Sequence, residues 1–356
     1  MRAAVTAPAE SGPGESGPGE FGPGQFGPGG FVVEHRPDPT PGPGELVLRV
    51  AANGICGSDL STAPLLPAGT IMGHEFAGEV VGIGPADPDV PHAFRVGDAV
   101  AAMPVIGCHR CRACLTGDVA RCPSARTLGL GVLPGGLAEF AVVGAAESVL
   151  LDDIDPVDGA LVEPLAVGLH AVTRASVRPG DRVLVLGAGP VGLAALHWLS
   201  RGVATELVCS DPSPGRRAAA LDLGASAVCA PDELPAQVES GFDVVVECVG
   251  KPGMIASALD AVATHGTVVI AGVCLSPDTF MPVAGVVKEI TMHFVSYYTK
   301  REFDTAAAEL NKGAIGSSTL VSGIVGLDET DRVVRELSAP NDHRKVLIAP
   351  GVSTVG

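Results

Sequence analysis

The stretch Val183-Leu-Val-Leu-Gly187-Ala-Gly189-Pro190-Val191-Gly192 decides the fold. An apolar run of strand character leads into three glycines at G-x-G-x-x-G spacing, and Pro190 suits the first turn of a helix. Each glycine has its own task. Gly187 allows the tight turn, Gly189 lets backbone approach a pyrophosphate, and Gly192 lets helix and strand pack closely. The helix then starts with free amides facing the phosphates. Glycine spacing alone is a weak signal, but its setting strengthens it. A second strand-like run ends at Asp211, roughly 20 residues further on, where a carboxylate accepts hydrogen bonds from the adenosine ribose and repels a 2′-phosphate. That points to NAD rather than NADP. Asp211 is equally placed to cap a helix starting near Ser213, and Arg216 and Arg217 follow closely enough to touch the ribose.

Around this turn the pattern alternates. Strands are expected over residues 183–186, 207–210, 244–248, 268–271 and 290–295, with helices between them, for example over 191–200 and 254–263. Such alternation argues an α/β fold with a doubly wound parallel sheet, here over residues 164–296. Upstream, short β segments at 46–50, 79–81, 99–101 and 140–143 are separated by Gly and Pro turns. They read as a compact, mostly β domain over residues 1–163. Residues 297–356 carry helical stretches near 301–311 and 329–337 and a last strand at 345–348, and are expected to return to the first domain. Residues 11–30 are four tandem pentapeptides, SGPGE, SGPGE, FGPGQ and FGPGG. Gly-Pro-Gly has neither helix nor strand propensity, so the repeat is expected to be a solvated loop joining strand-like runs at 2–6 and 31–35.

The bulk numbers narrow the function. A chain of 356 residues with 46% apolar residues can build two cores, and its net charge of −17 opposes nucleic-acid binding. The most apolar stretch, residues 183–199, is broken by Gly187, Gly189, Pro190 and Gly192, and is read as a buried strand, turn and helix rather than a membrane span. Met1 to Val5 leads into Pro and Gly with no apolar core segment, so a cytoplasmic protein without export signal is expected. Of nine cysteines, Cys209, Cys229, Cys248 and Cys274 lie in apolar runs and are expected to be small core residues.

Four others form the strongest motif, Cys108-x2-Cys111-x2-Cys114-x7-Cys122. Four thiolates at these spacings wrap one tetrahedral zinc, and an all-sulfur shell leaves no open position, so this zinc is expected to be structural. Arg110, Arg112 and Arg121 lie within the loop, but no aromatic residue is interleaved as a nucleic-acid-binding ribbon would require. A second constellation is scattered: Cys56 with Ser58, then His74-Glu75, then Glu163. A thiolate, an imidazole and a carboxylate with an open position suit a catalytic zinc. Spacing alone does not bring these residues together, and each has an ordinary structural reading.

The ordered motifs Gly54-Ile-Cys56-Gly-Ser58-Asp59, Gly73-His74-Glu75, the cysteine loop, Glu163-Pro-Leu and Gly187-Ala-Gly-Pro-Val-Gly192 resemble those of zinc-containing medium-chain dehydrogenases. The resemblance is strongest to the sorbitol, threonine and butanediol dehydrogenase branch, since Glu163 stands where classical alcohol dehydrogenases carry a cysteine. It implies a GroES-like catalytic domain built from both chain ends around a Rossmann domain. It also implies Cys56 and His74 as catalytic zinc ligands, with Glu75 and Glu163 sharing the ligand and supporting roles, and Ser58 taking the alcohol proton. Val167, Val191 and Val273 are implied neighbours of the cofactor. The implied reaction is hydride exchange between a secondary alcohol and NAD, giving a ketone, in a homodimer or homotetramer with no nucleic-acid or membrane partner. An NADPH-dependent carbonyl reductase and a non-catalytic binding protein of the same fold remain alternatives. Two departures stand out. Ser61 occupies the place where most relatives carry a relay histidine, and residues 60–73 hold no charge, which favours a fairly apolar substrate over a sugar alcohol.

Overall fold

The dinucleotide-type turn sits at the centre of a six-stranded parallel sheet. The computed structural model describes residues 1–7, 30–152, 154–202, 204–234 and 241–352, so the pentapeptide repeat up to residue 29 lies outside the described residues. By internal contacts the chain forms two units, one of residues 1–163, 299–341 and 345–356, the other of residues 164–298 and 342–344.

In the second unit the strands are β1 (Arg182–Leu186), β2 (Glu206–Ser210), β3 (Ala227–Cys229), β4 (Phe242–Glu247), β5 (Val262–Ile270) and β6 (Thr291–Phe294). Their spatial order is β3-β2-β1-β4-β5-β6, all neighbours parallel. The order reverses between β1 and β4, which makes the crevice outside their carboxyl ends the ligand position of such sheets. Helix Pro190–Leu199 follows β1, with Pro190 in its first turn. Leu184, Leu186, Val208, Val245 and Val268 fill the core. The helix expected over 254–263 stops at Ala261, and Val262 opens β5 by pairing with Phe242. A β-branched residue that finds a strand partner is better placed extended than helical.

The first unit is built on a mixed seven-stranded sheet. Strand Glu45–Gly54 is its hub. It pairs antiparallel with Glu75–Ile83, with Phe140–Gly144 and, at its end, with Lys345–Ile348. The alternating residues Leu46, Leu48 and Val50 pack with Phe76, Val80, Val100 and Val143. Strands Arg2–Thr6 and Phe31–His35 pair antiparallel. No helix among the described residues is long and apolar enough to cross a membrane.

All nine cysteines are free. Cys209 and Cys229 are buried, as a core role requires, Cys248 at the end of β4 is only partly buried, and Cys274 is a correction. It lies beyond β5, only partly buried, with its thiol directed at the Ser276 carbonyl.

Candidate functional site

Three strand ends of the first unit meet at one edge. The pairing Gly54↔Glu75 places the start of strand Glu75–Ile83 beside the end of Glu45–Gly54, and Leu347↔Gly54 brings in the start of Lys345–Ile348. Cys56, two residues past Gly54, caps the short helix Gly57–Thr62. Ligand atoms of Cys56, His74 and Glu75 lie within 4.8 Å of one another, with His74 and Glu75 buried. Gly54 is required here, because a Cβ would collide with the Glu75 carboxylate.

Asp59 organises two of these groups. It is 1% exposed. Its Oδ2 accepts the Cys56 amide at 2.9 Å, and its Oδ1 lies 3.1 Å from His74 Nδ1. The latter approach is oblique, so the contact acts mainly through charge. Burial disfavours a charged His74 ring, but Asp59, helped by Cys56, outweighs it and holds the pKa well above the usual histidine value. With Nδ1 facing Asp59, Nε2 is the nitrogen turned to Ser58, whose Oγ is its hydrogen-bond partner at 3.4 Å. A carboxylate behind a ligating histidine is a recurrent arrangement that fixes the ring and its tautomer. The Asp at the third helical position after Cys56 is the local signal for it, a capping-box pattern.

Lys345 is the residue that sequence reasoning missed. Its ammonium is buried, pairs with Glu75 and donates to the Ile55 carbonyl at 2.9 Å. Burial opposes its charge, but Glu75, Cys56 and Glu163 together raise its pKa above the ordinary lysine value. Nothing local marks a lysine at the start of an apolar strand as buried. Glu163, in the first turn of helix Val162–Ala175, is also buried. It falls outside the three-residue ligand group, yet acts electrostatically on Lys345. Ser61 is exposed, and its hydroxyl donates to the Ser58 carbonyl at 3.1 Å within its own helix.

The four-cysteine loop forms a second group, with the sulfurs of Cys108, Cys111, Cys114 and Cys122 all within 4.8 Å of one another. Cys111 and Cys114 sulfurs are 3.6 Å apart, near the edge of about 3.8 Å of a tetrahedron with Zn–S of about 2.3 Å. The Arg110 and Cys111 amides lower the Cys108 pKa to about 6, while burial raises that of Cys114 to about 12. Fully buried Glu147 anchors the loop from outside. Its Oε1 accepts the Gly107 amide at 3.1 Å and lies 2.8 Å from His109 Nε2.

In the second unit Gly187 has φ +92°, and a Cβ on Gly192 would strike the Gly187 carbonyl. Gly189 faces open space. Asp211, 3% exposed, accepts the Ala188 amide on Oδ2 and the Ser213 amide on Oδ1, each at 2.8 Å. It therefore ties the fingerprint turn to the next helix, and each oxygen keeps a lone pair for a further donor. Arg216 is engaged with the His343 carbonyl and Arg217 with the Asp211 carbonyl. Val191 is half-buried and Val273 is exposed, beyond β5.

Residues 42–153 match the family model of the alcohol dehydrogenase GroES-like domain, and residues 190–312 that of the zinc-binding dehydrogenases. The chain is 31% identical to L-galactonate-5-dehydrogenase of Escherichia coli K12, covering 82% of this chain and 87% of the relative. It is 30% identical to sorbitol dehydrogenase of Bacillus subtilis, covering 89% and 94%. Its fold matches that of a zinc-binding dehydrogenase from Sinorhizobium meliloti 1021 bound to NADP, with a TM-score of 0.80 and 28% identity over 98% of this chain and 99% of that one. The chain belongs to the zinc-containing medium-chain dehydrogenase family, in its sorbitol and butanediol dehydrogenase branch. It is an enzyme of the zinc-dependent, nicotinamide-linked alcohol dehydrogenase class.

Proposed function

We propose that this enzyme oxidises an uncharged secondary alcohol to a ketone with NAD, holding one catalytic and one structural zinc. The observation that carries the reading is the convergence of Cys56, His74 and Glu75 within 4.8 Å, beside the Ser58 hydroxyl. Three mixed donors with a hydroxyl at their side suit an open zinc site, and four sulfurs suit a closed one. Zinc, when bound in the open site, would supply a Lewis acid for the substrate hydroxyl, and a nicotinamide cofactor would supply the hydride acceptor.

The chain's own groups do the rest. Cys56 and His74 bind the metal, with Asp59 orienting the imidazole. Glu75 is the carboxylate grouped with these two donors within 4.8 Å and would act as the third ligand. Lys345 holds it, and Glu163 lends negative charge behind the lysine. Ser58 Oγ takes the substrate proton. Because the Ser61 hydroxyl is turned to its own helix, residue 61 does not carry the proton onward from Ser58. Gly187, Gly189, Pro190, Val191 and Gly192 would receive the pyrophosphate of the cofactor, and the exposed Val273 would offer it apolar surface. Asp211 binds the ribose with the lone pairs left by the Ala188 and Ser213 amides. A second reading, an NADPH-linked carbonyl reductase, draws support from the NADP in the S. meliloti structure and from Arg217 beside Asp211.

The charge-free segment 60–73 supports a fairly apolar substrate. The thiol cluster supports a cytoplasmic location, where such cysteines stay reduced. A homodimer or homotetramer is supported by β6, a sheet-edge strand, and the exposed Met281, Val286, Val287 and Phe294 around it, since an open edge with apolar neighbours pairs readily with a second copy. The test is a screen of secondary alcohols and polyols with NAD and NADP, following absorbance of the reduced cofactor. Turnover with NAD but not NADP supports the reading, and equal efficiency with both removes the cofactor assignment.

A further inference from the structure

The carboxylate of Glu247 is buried at the carboxyl end of β4 with no ordinary reason to be there. It is 1% exposed. Among the described residues no Lys, Arg or His pairs with it, and the charge acting on it, Asp278, has the same sign. Burial raises its pKa, while backbone amides of Gly250, Val249 and Gly272 oppose that rise. A buried carboxylate without a cation is costly. A glycine or asparagine would end the strand without that cost.

What the carboxylate holds is the point where three turns meet. Its Oε1 accepts the Val249 amide at 2.6 Å and the Gly250 amide at 2.8 Å. Its backbone carbonyl accepts Ala271 at 2.8 Å and Gly272 at 3.0 Å, from the turn after β5. Oε2 lies against Gly272, where a Cβ would stand 2.7 Å from it. The two turns touch glycine to backbone: Gly250 has φ +68°, and a Cβ there would be 2.6 Å from the Val273 nitrogen. The third turn joins through Gly187, whose Cβ would lie 2.8 Å from Val249, and through the Cys248 amide on the Leu186 carbonyl at 2.9 Å. One side chain thus ties the turns after β4 and β5 into a block against the fingerprint turn. The block stands outside the carboxyl ends of the strands, where the order reverses and a dinucleotide lies. Val249 and Val273 present exposed apolar side chains on it.

We propose that Glu247 is a positioning residue for the cofactor, holding turns 248–250 and 271–273 in the register that receives the nicotinamide half. This rests on the nicotinamide-linked reading above. The binding energy lies in the turns' backbone and valine surfaces, and Glu247 pre-organises them. The hydrogen bonds of its carboxylate and carbonyl go to the turns after β4 and β5, none to the fingerprint turn or to Asp211.

The experiment compares the unmodified zinc-loaded enzyme with Glu247→Gln, which keeps the volume but replaces an accepting oxygen with a donor facing backbone amides. NADH and NADPH binding is titrated by fluorescence, AMP binding by calorimetry, and KM and kcat are measured with the better alcohol from the screen. The expected result is reduced-cofactor binding weaker by about tenfold, the equivalent of one charged hydrogen bond. AMP affinity should be unchanged, and KM for the cofactor should rise more than kcat falls. Unchanged affinity for the reduced cofactor overturns the proposal. So does an equal loss of AMP and reduced-cofactor binding, which marks a purely structural role. If the unmodified enzyme binds neither NADH nor NADPH, the cofactor reading itself fails and takes this proposal with it. Should Glu247→Gln not fold, Glu247→Asp keeps the charge but withdraws it from the Val249 and Gly250 amides, and the same split between AMP and reduced cofactor decides.

Discussion

Replacing Lys345 with methionine leaves the Glu75 carboxylate buried beside Cys56 without its cation. Both partners of the ion pair have side chains only 1% exposed, so water does little to screen the loss. Removing one member of a buried pair costs about 3–5 kcal/mol, because the other is stranded. At about 2–4 °C per kcal/mol for a domain of 150–250 residues, the midpoint of the metal-free protein should fall by about 6–20 °C. The pKa of Lys345 is raised, so the stabilisation is complete below the unfolded value of 10.5 and is lost only as pH rises through the higher folded value. Scanning calorimetry at pH 7.5 therefore sees the pair intact. Zinc loading should shrink the loss, since a metal ion replaces the missing cation and stabilises the folded state by binding it. The double variant Lys345→Met with Glu75→Gln should recover most of the midpoint, because it strands no charge. A metal-free Lys345→Met protein unfolding within about 2 °C of the unmodified one would refute the reasoning, as would a double variant no more stable than the single.

Elemental analysis of the active enzyme should find two zinc ions per chain. Cys111→Ser should lower stability, because a structural zinc site contributes folding energy directly, whereas His74→Ala should abolish turnover in a protein that still unfolds cooperatively; one zinc per active chain contradicts both. Asp211→Ala should narrow a preference for NAD over NADP, read as the ratio of kcat/KM values, and should also loosen the fingerprint turn, since the Ala188 and Ser213 amides lose their acceptor. The hydrogen bond to Glu147 raises the His109 pKa above 6.5. Its stabilisation is therefore complete below 6.5 and is lost as pH rises through the higher folded value. The stability gap between the unmodified protein and His109→Gln, followed by thermal shift, should be widest near pH 6 and shrink toward pH 9; a constant gap would show that the ring does not titrate against Glu147.

Sequence alone was enough for the parts whose signals are local. The apolar run into Gly187, Gly189 and Gly192 marks strand, turn and helix within ten residues, because φ/ψ freedom and close backbone approach are properties of the glycines themselves. The four-cysteine loop is legible for the same reason: its ligands lie within one short loop, where spacing limits how the sulfurs can be arranged. The strand-helix alternation follows from hydrophobic period. The tertiary structure decided what surrounds the scattered site. Asp59, Glu75 and Lys345 belong to chain segments far apart in sequence. They meet because the C-terminal strand Lys345–Ile348 pairs with Glu45–Gly54, which on its other side pairs with Glu75–Ile83. No periodicity marks Lys345 as buried, since its charge is tolerated only by anions that other strands bring. Glu247 is hidden in the same way. Nothing in the apolar run around it marks a role, and only the packing of three turns around it makes it an interior group held by backbone amides.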